Sequence, residues 1–175
     1  MDYETIPMTR QEARKLAKIF RTLFDYNDDE PFNPIDELDN VHNVFKNVDY
    51  VVVEDDELPT NVPAACDMTV EGDFLIKIKE TVFYGAAKNK IGGYLMDITH
   101  EMVHAFLYKM GYVPSMNRSF KNNMIPAYKS AEWQVKAVAG EIMIPYEATK
   151  NMSEAEIMSR YKVSKAAAII RKKLE

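Results

Sequence analysis

The stretch Asp97-Ile98-Thr99-His100-Glu101-Met102-Val103-His104-Ala105-Phe106-Leu107 decides how the rest of the chain reads. Its apolar positions Ile98, Met102, Phe106 and Leu107, with Met110 beyond, recur at helical spacing, so a packed helix is expected here. Inside it stands H-E-x-x-H. Residues four apart on a helix lie one above the other on the same face. The imidazoles of His100 and His104 can therefore point at one ion, and zinc accepts neutral histidine nitrogen. Glu101 lies about a hundred degrees round the helix from His100. That is far round for a third ligand, yet near enough to hold a metal-bound water and take its proton. Two of the chain's three histidines are used in these five residues. The bland alternative is two ordinary helix histidines with a surface glutamate between them.

A catalytic zinc takes three protein ligands and keeps one position open. The segment Ser130 to Pro145 reads as one helix, with Ser130 as N-cap and Pro145 as stop. Its apolar stripe is Val135, Val138, Ala139 and Ile142, and Glu132 falls on that inward stripe. Glu141 lies about half a turn away in projection and is expected to face the other way. A carboxylate on a core-facing stripe needs a partner, because an unpaired buried charge is very costly. A zinc ion would be that partner. The competing account makes Glu132 a first-turn glutamate favoured by the helix dipole.

These two elements together resemble the ImmA/IrrE family of metallopeptidases: H-E-x-x-H, then about thirty residues on a helix of the form E-x-x-A-x-x-F-A-x-x-L-L-M-P. Here that helix reads Glu132-Trp133-Gln134-Val135-Lys136-Ala137-Val138-Ala139-Gly140-Glu141-Ile142-Met143-Ile144-Pro145, with the same spacing from acid to proline. Tyr161-Lys162-Val163-Ser164-Lys165-Ala166-Ala167 is similar to the family's F-x-V-S-x-x-A, and Arg171 stands on the helix that follows. The resemblance covers roughly residues 74 to 172. The chain departs from the pattern at Val103, where the family usually has glycine, and at Val138, where it usually has phenylalanine. The resemblance implies His100, His104 and Glu132 as ligands of one Zn2+ per chain, Glu101 as catalytic acid/base, and a zincin-like α+β fold. That fold is mostly helical, with a small antiparallel sheet packed beside the H-E-x-x-H helix.

The remainder fits one soluble domain. The 175 residues suit a single core, and 47% hydrophobic with 28% charged is ordinary for a globular chain. A net charge of −5 argues against general nucleic-acid binding, which needs a basic face. The one cysteine, Cys66, fits a reducing compartment and reads as a small buried residue. The acidic start Met1-Asp2-Tyr3-Glu4 lacks the pattern of a signal peptide, and no long apolar run is present, so a cytoplasmic protein without membrane contact is expected.

In chain order, residues 1–48 should hold N-terminal helices. Thr9-Arg10-Gln11-Glu12 is a capping box opening one helix, and Asn33-Pro34 opens a second that carries Ile35, Leu38, Val41, Val44 and Phe45. His42 beside that stripe has no partner at ligand spacing and reads as a surface residue. Residues 49–80 should form the sheet. Tyr50 to Glu54 is a strand, and Glu71-Gly72-Asp73 turns a hairpin between Ala64–Val70 and Phe74–Lys79. The last of these strands is the candidate edge for adding a substrate strand. The zinc-binding helices are expected within 95–145 and short C-terminal helices within 153–175, where a helix-turn-helix is disfavoured by the acidic composition. The loop between the zinc-binding helices carries Tyr112, Arg118 and Tyr128, candidates for stabilising an oxyanion or holding substrate.

The resemblance implies a selective endopeptidase cutting an intracellular protein, a helix-turn-helix (XRE-type) transcriptional repressor, as an anti-repressor in mobile-element or stress regulation. Two rivals belong to other classes: a catalytically vestigial zinc-bound interaction module that sequesters a repressor partner, and a purely helical regulatory domain with no metal; a component of a toxin–antitoxin pair is a further alternative.

Overall fold

A computed structural model describes residues 2–115 and 125–174. The chain runs α1 (Arg10–Leu23), α2 (Pro34–Leu38), α3 (Val41–Val44), β1 (Val48–Val53), β2 (Ala64–Met68), β3 (Phe74–Lys79), α4 (Glu80–Asn89) and α5 (Gly92–Lys109). A 3-10 turn (Ala127–Lys129), α6 (Ala131–Met143), α7 (Tyr146–Thr149), α8 (Glu154–Tyr161) and α9 (Lys165–Lys173) complete it. The architecture is α+β: mostly helical, with one small sheet. Among the described residues no helix is long and apolar enough to cross a membrane.

Local chemistry sets most of these boundaries. The Thr9 and Glu12 side chains close a capping box on α1, and Ser153 with Glu156 does the same on α8. Ser130 and Ser164 each accept a first-turn N–H, of Trp133 and Ala167 respectively, and so start α6 and α9. The expected single helix after Asn33 is broken at Asp39-Asn40 into α2 and α3. The Asp39 carboxylate instead accepts the Tyr50 hydroxyl of β1.

The sheet corrects two expectations. It is mixed and not antiparallel, with order β1-β3-β2: β2 pairs antiparallel with β3, but β1 pairs parallel with β3. The Glu71-Gly72-Asp73 hairpin forms as expected, and Gly72 supplies the positive φ of 88° that its turn needs. The β2 excursion carries the chain back so that β3 enters between its two predecessors. β3 is therefore central, hydrogen-bonded on both sides, and has no free edge for a substrate strand. The edge strand lying along α5 is β2.

One core joins these layers. Phe20, Phe24, Phe32, Phe45 and Phe106 meet ring to ring, tying α1 to α5. Ile76 and Ile78 of β3 and Ile98 and Met102 of α5 are fully buried. At the start of α5, a Cβ on Gly92 would meet backbone atoms of Lys162, Val163 and Ser164 at 2.8–2.9 Å. Glycine here permits the α8–α9 connection to lie directly on α5.

Candidate metal centre

Helix α5 places His100 and His104 one turn apart, and their Nε2 atoms stand 3.1 Å from each other. Helix α6 packs across α5 and brings Glu132 to the same point. One Glu132 oxygen lies 3.4 Å from His100 Nε2, the other 3.5 Å from His104 Nε2. The Glu101 carboxylate belongs to the same cluster: its oxygen and the two imidazole nitrogens all lie within 4.8 Å of one another. His100, Glu101 and His104 thus form a group that could hold a metal ion. Two imidazole nitrogens and two carboxylates converging from two helices are a donor set with no protein cation among them, which fits a divalent metal.

The local electrostatics push these groups in different directions. Burial drives His104 down to about 4, with His100 adding to the effect and Glu132 opposing it. Its ring is thus held neutral, the form a metal requires. Glu132 is held below the usual carboxylate range, first by its hydrogen bond to His100 and then by the neighbouring imidazoles. Glu101 moves the other way, to about 7: burial dominates, Glu132 adds to it, and His100 and a backbone N–H from Cys66 oppose it. The two carboxylates of the cluster are therefore pushed in opposite directions. Asp97, one turn before His100, is also raised by burial, with His100 opposing.

The Cys66 N–H contact has no sequence signal. It comes from β2 lying along α5, and it steadies Glu101 from the sheet side. The Cys66 thiol is pushed up to about 12 by burial and by Glu101, which suits an inert packing residue. A second contact missed in sequence is Asp2. Its carboxylate accepts the Ser130 hydroxyl at 2.6 Å and the Glu132 N–H at 3.1 Å, so the N-terminal segment fastens the first turn of α6.

One reading of α6 is corrected. Glu132 is 38% exposed at a cleft and not buried on a stripe, while Glu141 is 3% exposed. Helix α6 is covered on several sides, so a single-stripe projection misassigns its faces. Glu141 is matched by Arg171 of α9 at 2.7 Å and by Arg14 of α1 at 3.4 Å. Of the three oxyanion or substrate candidates, Arg118 lies outside the described residues. Tyr112 sits just past the end of α5, where burial and Glu12 raise its phenol. Tyr128 is half exposed in the 3-10 turn. No hydrogen bond joins either of these tyrosines to the His–Glu cluster among the described residues. His42 is exposed, as expected.

No protein-family model matches the chain, and no curated protein matches it.

Proposed function

We propose that the chain is a zinc-dependent endopeptidase of the kind its motifs resemble, the ImmA/IrrE metallopeptidases. The observation that carries this reading is the convergence of His100, His104 and Glu132 beside Glu101. A tetrahedral zinc bonded at about 2.0–2.1 Å holds its ligand atoms about 3.3–3.4 Å apart. The three donor separations, 3.1, 3.4 and 3.5 Å, straddle that value.

In this reading His100, His104 and Glu132 hold the ion, and Glu101 stays outside the ligand set. The zinc, when bound, polarises the scissile carbonyl and acidifies water. Glu101 takes the proton from the attacking water and delivers it to the leaving amine nitrogen. Its near-neutral poise suits both acceptance and return. The Cys66 N–H keeps one carboxylate oxygen fixed while the other works. The substrate class that goes with the resemblance is a helix-turn-helix repressor protein.

The test is zinc content of the purified chain, measured for wild type, Glu132→Ala and Glu101→Gln. Expected are about one zinc per chain in wild type, a large loss in Glu132→Ala, and retained zinc without peptidase activity in Glu101→Gln. Wild-type protein that takes up no zinc from a zinc buffer would sink the reading and leave a helical binding domain.

A further inference from the structure

Glu132 reaches the cluster on a flexible side chain, yet its two oxygens stand 3.4 and 3.5 Å from two different nitrogens. A constellation of this kind tolerates errors of about 0.5 Å, so the backbone of Glu132 must itself be held in place. Packing does not do this on every side. A cavity of about 480 Å³ opens between α5, α6 and α9, with Trp133, Lys136 and Gly140 of α6 in its wall. A Cβ on Gly140 would meet nothing within 4 Å.

Residues 2–8 supply a hold of another kind. They lie alongside residues 128–131: the Thr5 N–H donates to the Lys129 carbonyl at 2.8 Å, the Met8 N–H to that of Tyr128 at 2.7 Å, and the Ala131 N–H to that of Tyr3 at 2.9 Å. Gln134, buried on α6, pins the segment by donating its amide to the carbonyls of Ile6 and Tyr128. The Glu4 carbonyl also accepts the Ser115 N–H, beyond the end of α5, at 2.7 Å. One segment thus ties the exit of α5 to the entry of α6, the two helices that carry the candidate ligands. Asp2 closes the arrangement. One of its oxygens takes the Ser130 hydroxyl and the other the Glu132 N–H, while Ser130 takes the Trp133 N–H. Water could satisfy an amide at an exposed helix start. A carboxylate anchored through both oxygens fixes its direction as well.

We infer that Asp2 is a positioning residue of the metal site. Its two hydrogen bonds set where the Glu132 backbone stands, and through it how tightly the site holds its ion. The inference rests on the metallopeptidase reading and deepens it: residues 2–8 become a strap that governs metal occupancy.

Zinc affinity of the folded full chain tests it, read by competition with a chelator well below the melting temperature. Asp2→Ala should bind zinc about tenfold more weakly than wild type, the lower end of what a metal site loses with a supporting hydrogen bond. Asp2→Asn should stay close to wild type, because its amide oxygen can accept the Glu132 N–H while its NH2 donates to the Ser130 oxygen. Ser153→Ala removes a cap from α8, which carries no candidate ligand. It should lower the melting temperature and leave zinc affinity where it was. Wild-type zinc affinity in Asp2→Ala, whatever its melting temperature, would overturn the inference and leave Asp2 a helix cap. Asp2→Asn as weak as Asp2→Ala would overturn it too, by placing the effect in the charge. Wild-type protein that binds no zinc would instead overturn the metallopeptidase reading, and the strap's role with it.

Discussion

At the scale of single residues, the centre is defined by opposite shifts on neighbouring acids and bases. Glu101 is raised to about 7 and His104 lowered to about 4. Both shifts belong to the metal-free protein, as a chelator leaves it. A raised carboxylate contributes stability that is present at low pH and is lost as pH rises through about 7. A depressed histidine contributes stability that is present above its unfolded value near 6.5 and is lost as pH falls toward 4. Between pH 7 and 5 the two contributions oppose each other, so they nearly cancel in wild type. Glu101→Gln removes only the first. In denaturant unfolding with a chelator present, this variant should lose on the order of 2 kcal/mol more than wild type on going from pH 7 to 5. Parallel pH profiles for the two proteins would show that Glu101 is not held neutral by its surroundings.

These residues were also the most legible in the sequence. His100, Glu101 and His104 are fixed by helical spacing alone, because the three neighbours are local. Glu132 was reached from an apolar stripe on which it does not lie, as well as from the resemblance, since nothing local says which face of α6 crosses α5. The burial of Arg21 was not legible either. It sits in the last turn of α1 at 1% exposure and donates to the carbonyls of Ile142, Asn27 and Glu30, partners far from it in sequence or in an irregular turn.

At the scale of elements, the glycines of α5 and α6 make opposite demands. Gly92 is needed because the backbone of residues 162–164 occupies the place of its Cβ. Gly92→Ala must push α8 and α9 away from α5, and a cost of about 1–3 kcal/mol is expected from such overpacking. Gly140 has open space, so Gly140→Ala should raise stability by about 0.5–1 kcal/mol through helix propensity and unfolded-state entropy. Thermal unfolding of the two variants side by side checks both. A destabilised Gly140→Ala would mean that the cavity wall is closed in solution. Sequence could not separate these glycines, because the difference lies in what packs against them. The sheet order escaped for the same reason. The hairpin of β2 and β3 is written in Gly72 and the alternation after it, but the edge on which β1 docks is a tertiary choice.

At the scale of the whole molecule, α6 is the member on which the parts meet. Its first turn carries Glu132 and is fastened by Asp2, its middle lines the cavity, and its last turn holds Glu141 between Arg14 and Arg171. The Arg171–Glu141 pair is buried on both sides, 5% and 3% exposed. Removing one partner leaves the other charge unmatched, so Glu141→Ala should cost about 3–5 kcal/mol. Breaking the exposed Arg160–Asp29 pair by Asp29→Ala should cost no more than about 1 kcal/mol. Comparable losses in the two variants would show that α9 is not locked to α6 through this pair.

Since the candidate ligands come from both α5 and α6, an ion bound there links the two helices, and binding becomes stability of the entire fold. Unfolding separates Glu132 from the histidines, so only the native state offers the complete donor set. By mass action, zinc at a hundred times its dissociation constant adds about 2.7 kcal/mol. For a domain of this size that corresponds to a rise in melting temperature of about 5–10 °C. Glu132→Ala should shrink the rise, because the unfolded chain and the variant then differ little in what they offer the metal. Glu101→Gln should keep it, because that carboxylate is assigned to the proton and not to the ion. A wild-type melting temperature unmoved by added zinc would mean that α5 and α6 are held together by packing alone. The close approach of His100, His104 and Glu132 would then be a hydrogen-bonded contact and not a metal site.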